Sequence, residues 1–434
     1  MGSSCKGLPH LRWQWQMKAL VIFSFVIMLG FFGPQRAITS NLEPLWILGM
    51  VGIVAVLFHQ FCQRLHLAPV AGWLCAGVFL GVGGLKILTP GVSFPMTHAL
   101  TMVAVWVGFD VGSRMRWQLP MRWSLLISIG INGLVTGALV TAALVLLLQV
   151  PVWIALVFGA LASLWGPIFA SANSTADDEV LSVSLIGTGA GLAFFTFLLA
   201  ISYSHGPFGR TALQFAGKLC LSLACGALAG EVIRHLRFFS SRPAVLAVSL
   251  TGVAIVAAAV IAQTGLFAVL FGLAAGTSLS WSPEISRRSR AVFDASRPIA
   301  FMIFFALIGA SIDPFSFAHP LPGFLHIFAI QVVALVIARI LFPRLSRYLA
   351  LGDGHRGWMW IPRGVILFEL ATHLPGTAGG LLPAPWSQLL RQVVHAEILL
   401  HGLIMAPLSL ALWSRPRRED PQPAGDLSTA IGNS

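Results

Sequence analysis

The sequence predicts an all-α polytopic membrane protein of about 13–14 transmembrane helices, built as inverted six-helix repeats with two discontinuous crossing helices. Three observations predict it. First, 57% of the 434 residues are hydrophobic and only 10% are charged, at a mean hydropathy of +0.84, which leaves too little polar surface to cover a soluble domain. Second, apolar runs of bilayer-crossing length recur along the whole chain, with basic clusters falling at alternate junctions. Third, two of these runs are interrupted near mid-membrane at matched places in their order.

The runs fall at 18 to 34, 43 to 62, 67 to 88, 97 to 112, 122 to 149, 151 to 172, 180 to 203, 212 to 235, 244 to 262, 264 to 280, 298 to 313, 321 to 343, 357 to 373 and 393 to 413. The first follows Lys6, Arg12 and Lys18, as the apolar core of a secretory signal would. Because "RAITS" offers no convincing cleavage site, it reads as a retained helix. Residues 1–42 are then a cytoplasmic N-terminus and an extra first span, 43–413 the main transmembrane domain, and 414–434 a polar, proline-bearing tail expected to be disordered in the cytoplasm.

With the N-terminus inside, Arg64, the Arg114, Arg116 and Arg122 group, Arg234 and Arg237, the Arg287, Arg288, Arg290 and Arg297 group, Arg344 and Arg347, and Arg415, Arg417 and Arg418 all fall on one side. Only the loop "SANSTADDE" dissents with acid. Topology and anionic lipid therefore account for the net charge of +12 without a nucleic-acid partner. Cys5, Cys62, Cys75, Cys220 and Cys225 form no CxxC pair and read as packing residues.

The interrupted runs are 151 to 172, broken at Trp165, Gly166 and Pro167, and 357 to 373, broken at "IPRG". With the first span set aside they are the fifth and twelfth of thirteen, equivalent places in two six-helix repeats joined by a linker helix. Proline there removes a backbone donor and frees carbonyls. Lipid tolerates such groups only where they line a cavity or meet protein. A kink explains one such helix. Two at matched positions point to a substrate site.

Four further stretches carry a resemblance: "LHLAPVAGWLCAGVFLGVGGLKIL", "MVAVWVGFDVGSRMR", "TGLFAVLFGLAAGTSLS" and "FMIFFALIGASIDPF". In their order and spacing, from roughly 43 to 413, they resemble the cation:proton antiporter superfamily, the sodium/proton exchangers and their potassium-efflux relatives. The family's usual ion-binding aspartates are lacking. Where its fifth helix carries Thr-Asp-Pro, this chain reads Trp165, Gly166 and Pro167; where its sixth carries an Asn-Asp or Asp-Asp pair, Gly191 and Leu192 stand by ungapped alignment. Sodium/proton exchange needs an oxygen ligand that holds either a cation or a proton, and hydroxyls and carbonyls do not titrate near neutral pH.

The polar residues left on this pathway are few. Thr188 and Thr196 flank Leu192 at i−4 and i+4 on one helix face, a spacing that suits a pathway wall or ordinary hydroxyl-to-backbone bonding. Arg363 resembles the basic residue after the family's twelfth-helix break and needs a partner at that depth; Glu369 lies on a different face of the same span. Asp110 with Arg114, and Glu231 with Arg234 and His235, read as interfacial ion pairs, and Asp313 before Pro314 as a cap or turn. Metal ligation at His59 would need more histidines than converge there.

The resemblance implies a secondary transporter exchanging a monovalent cation for protons by alternating access, with an atypical or lost coupling site. It further implies a homodimer in the cell membrane, a bacterial inner membrane by analogy, with both termini cytoplasmic. No cofactor, no resident metal and no catalytic constellation is expected, and the chain is not read as an enzyme. Two other readings stay open: a non-transporting membrane module that serves as an assembly or sensory partner, and a carrier of another solute.

Overall fold

The computed structural model describes residues 43–65, 67–88, 93–115, 123–164, 191, 208–235, 243–348 and 384–405. The first apolar run, the two breaks and the tail lie outside the described residues. Among those described, eleven α-helices and no strands occur: α1 (Glu43–Arg64), α2 (Pro69–Leu80), α3 (Ser93–Ser113), α4 (Trp123–Leu148), α5 (Val152–Ala162), α6 (Phe208–His235), α7 (Pro243–Thr264), α8 (Ala268–Ser280), α9 (Pro283–Ser311), α10 (Phe324–Tyr348) and α11 (Ala384–Leu400). Among the described residues, three helical stretches are long and apolar enough to cross a membrane, namely Leu213–His235, Val245–Thr264 and Glu284–Ser311. Leu146, Leu147, Leu213 and Val248 are each at least 70% exposed, which suits side chains facing lipid.

Local chemistry sets the boundaries. Pro69 and Pro283 occupy the first turns of α2 and α9, where a missing N–H costs nothing. Gly265 takes φ +66 between α7 and α8, so two closely spaced runs become two helices around one left-handed glycine. Asp313 caps the single turn Pro314–Phe317, its Oδ1 accepting from the Phe315 N–H at 3.0 Å. Asp313→Ala is expected to lower stability by about 1 kcal/mol, measured as a shift in thermal unfolding of the detergent-solubilised protein.

Two boundaries differ from the sequence expectation. The run at 298 to 313 is the second half of α9, whose first half carries the arginines expected in a loop. Pro298 lies inside this helix without ending it, as prolines in membrane helices are tolerated where neighbouring groups can satisfy the freed carbonyl. The run at 393 to 413 begins earlier, at Ala384, and α11 passes into a π-helical turn at His401–Met405.

Packing separates the helices into two groups. The larger contains α1, α2, α3, α6, α7, α8 and α9, with the most extensive contacts between α3 and α8, α6 and α8, and α2 and α9. The smaller contains α4, α5, α10 and α11, joined through α4 with α5, α4 with α10, and α10 with α11. The strongest link described between the groups is α2 against the π-turn after α11.

Glycines make the larger group tight. A Cβ on Gly77 would collide with the Ala306 carbonyl and come within 2.8 Å of the Ala310 nitrogen; one on Gly309 would meet the Leu74 carbonyl and the Gly77 Cα. The same arrangement recurs between α8 and α3. There a Cβ on Gly276 would collide with the Phe109 carbonyl and approach the Ser113 nitrogen to 2.7 Å, while one on Gly112 would meet the Leu273 carbonyl and the Gly276 Cα. Leu74, Gly77 and Gly309 thus have counterparts in Leu273, Gly276 and Gly112. The second helix of one repeat grips the third of the other, and the reverse, which is the contact signature of inverted repeats. Gly226 and Gly230 of α6 key the linker helix onto the other side of α8, at Phe271 and Ala275.

Candidate functional site

Three places bring chemistry together. The first is the end of α5. The helix stops at Ala162, before Trp165, and Ser163 turns back so that its hydroxyl donates to the Ala160 carbonyl at 2.6 Å. A Cβ on Gly191 would stand 3.0 Å from Leu164 Cδ2 and 3.7 Å from the Ser163 carbonyl. Gly191 therefore stands directly against the terminus of α5. Trp165, Gly166, Pro167, Thr188, Leu192, Thr196, Arg363 and Glu369 themselves lie outside the described residues.

The second is a buried charge cluster at the basic end of the larger group. Asp110 of α3 is 2% exposed, and its Oδ1 accepts from Arg114 Nε at 2.9 Å. Its Oδ2 lies 3.1 Å from Arg297 Nε of α9, and Arg114 also pairs with Asp294. The pair expected at the interface on helical spacing alone is present, but it is buried and shared with a second helix. Around it, Ser286 Oγ donates to the Ser113 carbonyl at 3.2 Å and Arg290 to the Arg114 carbonyl at 3.4 Å, so α9 satisfies the open end of α3. Trp106 Nε1 donates to Ser296 Oγ at 3.0 Å, and its ring meets Phe293 edge-on at 5.1 Å. A buried carboxylate paired with two arginines, one of which also engages a further acid, ties α3 to α9 and reads as a structural cluster.

One smaller expectation resolves likewise. Glu231 pairs with Arg234 and lies 3.1 Å from His235 Nδ1, with Arg234 also over the Trp281 ring at 5.7 Å. His59 stacks on Trp73 at 5.5 Å.

The third place was not read from the sequence. Helix α11 buries Ser387, Gln392, His395, Glu397 and, in the following π-turn, His401. Gln392 accepts from the Leu321 N–H at 3.2 Å and donates to the Ser316 carbonyl, fastening α11 to the connection that leads into α10. On α10, Gln331 is 2% exposed. The available signal was Glu397, a carboxylate inside the apolar run of 393 to 413.

No family profile matches the sequence, and no curated protein matches it. Among solved structures, the sodium proton antiporter MjNhaP1 from Methanocaldococcus jannaschii at pH 8 superposes with a TM-score of 0.57 at 16% identity, covering 86% of this chain and 97% of that one. An electron-microscopy structure of the same antiporter superposes with a TM-score of 0.50 at 16% identity, covering 86% and 96%. Both neighbours are transporters, and at this identity the likeness establishes a shared membrane-protein fold over nearly the whole of their length.

Proposed function

We propose that this chain is an integral membrane secondary transporter of the cation:proton antiporter type. Residues 43–413 form its transport unit, which exchanges a monovalent cation for protons as the group containing α4, α5, α10 and α11 moves against the larger group. One observation supports this above all: among the described residues packing is denser within each helix group than between them, while glycine-keyed backbone contact confines the larger group to one arrangement.

On this reading Trp165, Gly166, Pro167, Thr188, Leu192, Thr196, Arg363 and Glu369 line the pathway, and the contact of Gly191 with the end of α5 supports placing that pathway between the fifth and sixth spans. Homodimeric assembly in the cell membrane with both termini cytoplasmic belongs to the same proposal. The missing carboxylates at Gly166 and Leu192 favour one competing reading, a carrier of another solute.

Purified full-length protein in proteoliposomes, with an imposed sodium, lithium or potassium gradient and an internal pH dye, tests the proposal. Proton movement that depends on the cation and reverses with its gradient is the expected result. No proton flux with any of the three over a broad pH range removes antiport and leaves the solute-carrier or assembly-partner readings.

A further inference from the structure

The exchange proposed above needs a group that binds and releases a proton, and the fifth and sixth spans offer none at the expected places. The described residues contain a buried candidate elsewhere. Glu397 is 4% exposed on α11, and His401, four residues on and so on the same helix face, is 2% exposed. An ionisable side chain at such depth is costly to keep and marks a solute or proton path unless purely structural.

Two further observations converge on this place. Immediately after Glu397 the helix widens into the π-turn His401–Met405, a distortion that loosens backbone hydrogen bonding and recurs at functional sites. On α10, which packs against α11, Gln331 is buried, and its Oε1 has no hydrogen-bond partner. An orphaned carbonyl oxygen in a bundle core is costly, and a bound ligand would satisfy it.

Depth brings these groups to one level. The Gln392 bonds fix α11 beside Leu321, just before α10 begins, and from there the two packed helices run on through apolar sequence. At about 1.5 Å per residue, Gln331 lies roughly 10 Å beyond Phe324, and Glu397 and His401 roughly 8 and 14 Å beyond Gln392.

We propose that Glu397, with His401 and the Gln331 carbonyl, forms the proton-carrying and cation-coordinating site of this chain. The inference rests on the antiporter reading for its purpose, and on burial and placement for its location. When the site faces one side, the Glu397 carboxylate takes one proton from water. When it faces the other, that proton leaves to water, and a dehydrated monovalent cation binds between the carboxylate and Gln331 Oε1. One positive charge thereby replaces one. The described titratable and charged groups on the elements packed here are Arg391 and His395 on α11, with Asp313, in the connection before α10, acting on His395, and, elsewhere on the neighbouring helices, His326 on α10 and Cys75 on α2.

The test pairs infrared difference spectroscopy of the purified full-length protein over a pH step with proton flux in proteoliposomes. The wild type is expected to show a protonated-carboxyl stretch that E397Q lacks, and cation-driven flux in E397Q to fall by at least about 100-fold. E284Q, at an exposed carboxylate paired with Arg288, should keep both. E397Q retaining the stretch, or retaining flux with the wild-type pH profile, overturns the proposal. Should E397Q not fold, E397D is expected to keep the stretch with a moved pH midpoint; an unmoved midpoint also overturns it. Absence of flux in the wild type sinks the antiporter reading alone, because the infrared band reports the proton site without transport.

Discussion

Truncating Arg297 to alanine lowers the stability of the folded protein by about 3–5 kcal/mol, the cost of leaving a buried partner uncompensated. Asp110 would lose the guanidinium at its Oδ2 and keep only Arg114, which Asp294 also engages. Water cannot replace the lost partner at 2% exposure. Asp110→Asn produces a loss of similar size by removing the buried carboxylate that both Arg114 and Arg297 engage. The double change D110L/R297M removes both charges and recovers most of the loss, since a well-packed apolar pair matches or exceeds a buried ion pair. Thermal unfolding of the four proteins in detergent checks this, and additive losses in the double variant would show that the two residues do not act as a pair.

The second large effect comes from the paired glycine contacts. Leucine at Gly77 or at Gly276 places a side chain where the backbone of the facing helix already stands, at Ala306 in one case and at Phe109 in the other. Neither neighbour is a flexible side-chain end that could yield. The helices must separate, at a cost of at least about 1–3 kcal/mol and with loss of the close packing that holds the group together. Because the two contacts are repeat counterparts, the two variants should be destabilised alike. Gly217→Leu, at a position of the linker helix with open space around it, should be tolerated. Yield of monodisperse protein after solubilisation separates the three; a Gly77 variant as stable as the Gly217 variant would refute the packing account.

Most of the fold is legible in the sequence because the membrane imposes it. Spans announce themselves by length and hydropathy, basic clusters fix their order, and small residues mark where helices touch. The glycines of "VAGWLCAGVFLGVGG" and "FGLAAGTSLS" were visible as a pattern, and the structure supplies the partners that explain them. Longer-range pairings were not legible. Arg297 is distant from Asp110 in sequence and reads as one of several topogenic arginines, since nothing local distinguishes a cation that turns inward across a helix pair from one that meets lipid headgroups. Helix α11 is hidden differently: Ser387, Gln388, Arg391 and Gln392 give its first turns the composition of a loop, so hydropathy starts the span at 393. The contact of Gly191 with the end of α5 was not legible either, since spacing within either span carries no information on which residues of two spans meet.

The division into two helix groups that move past each other is tested most directly by distances between spin labels in the presence and absence of sodium. Leu228 on α6 with Val248 on α7 reports within the larger group, Leu134 on α4 with Val333 on α10 within the smaller, and Leu134 with Val248 across them, all at exposed positions. The account predicts that the first two distributions stay fixed while the third shifts on adding sodium. A third distribution that stays fixed, or a change confined to either pair within a group, would contradict it.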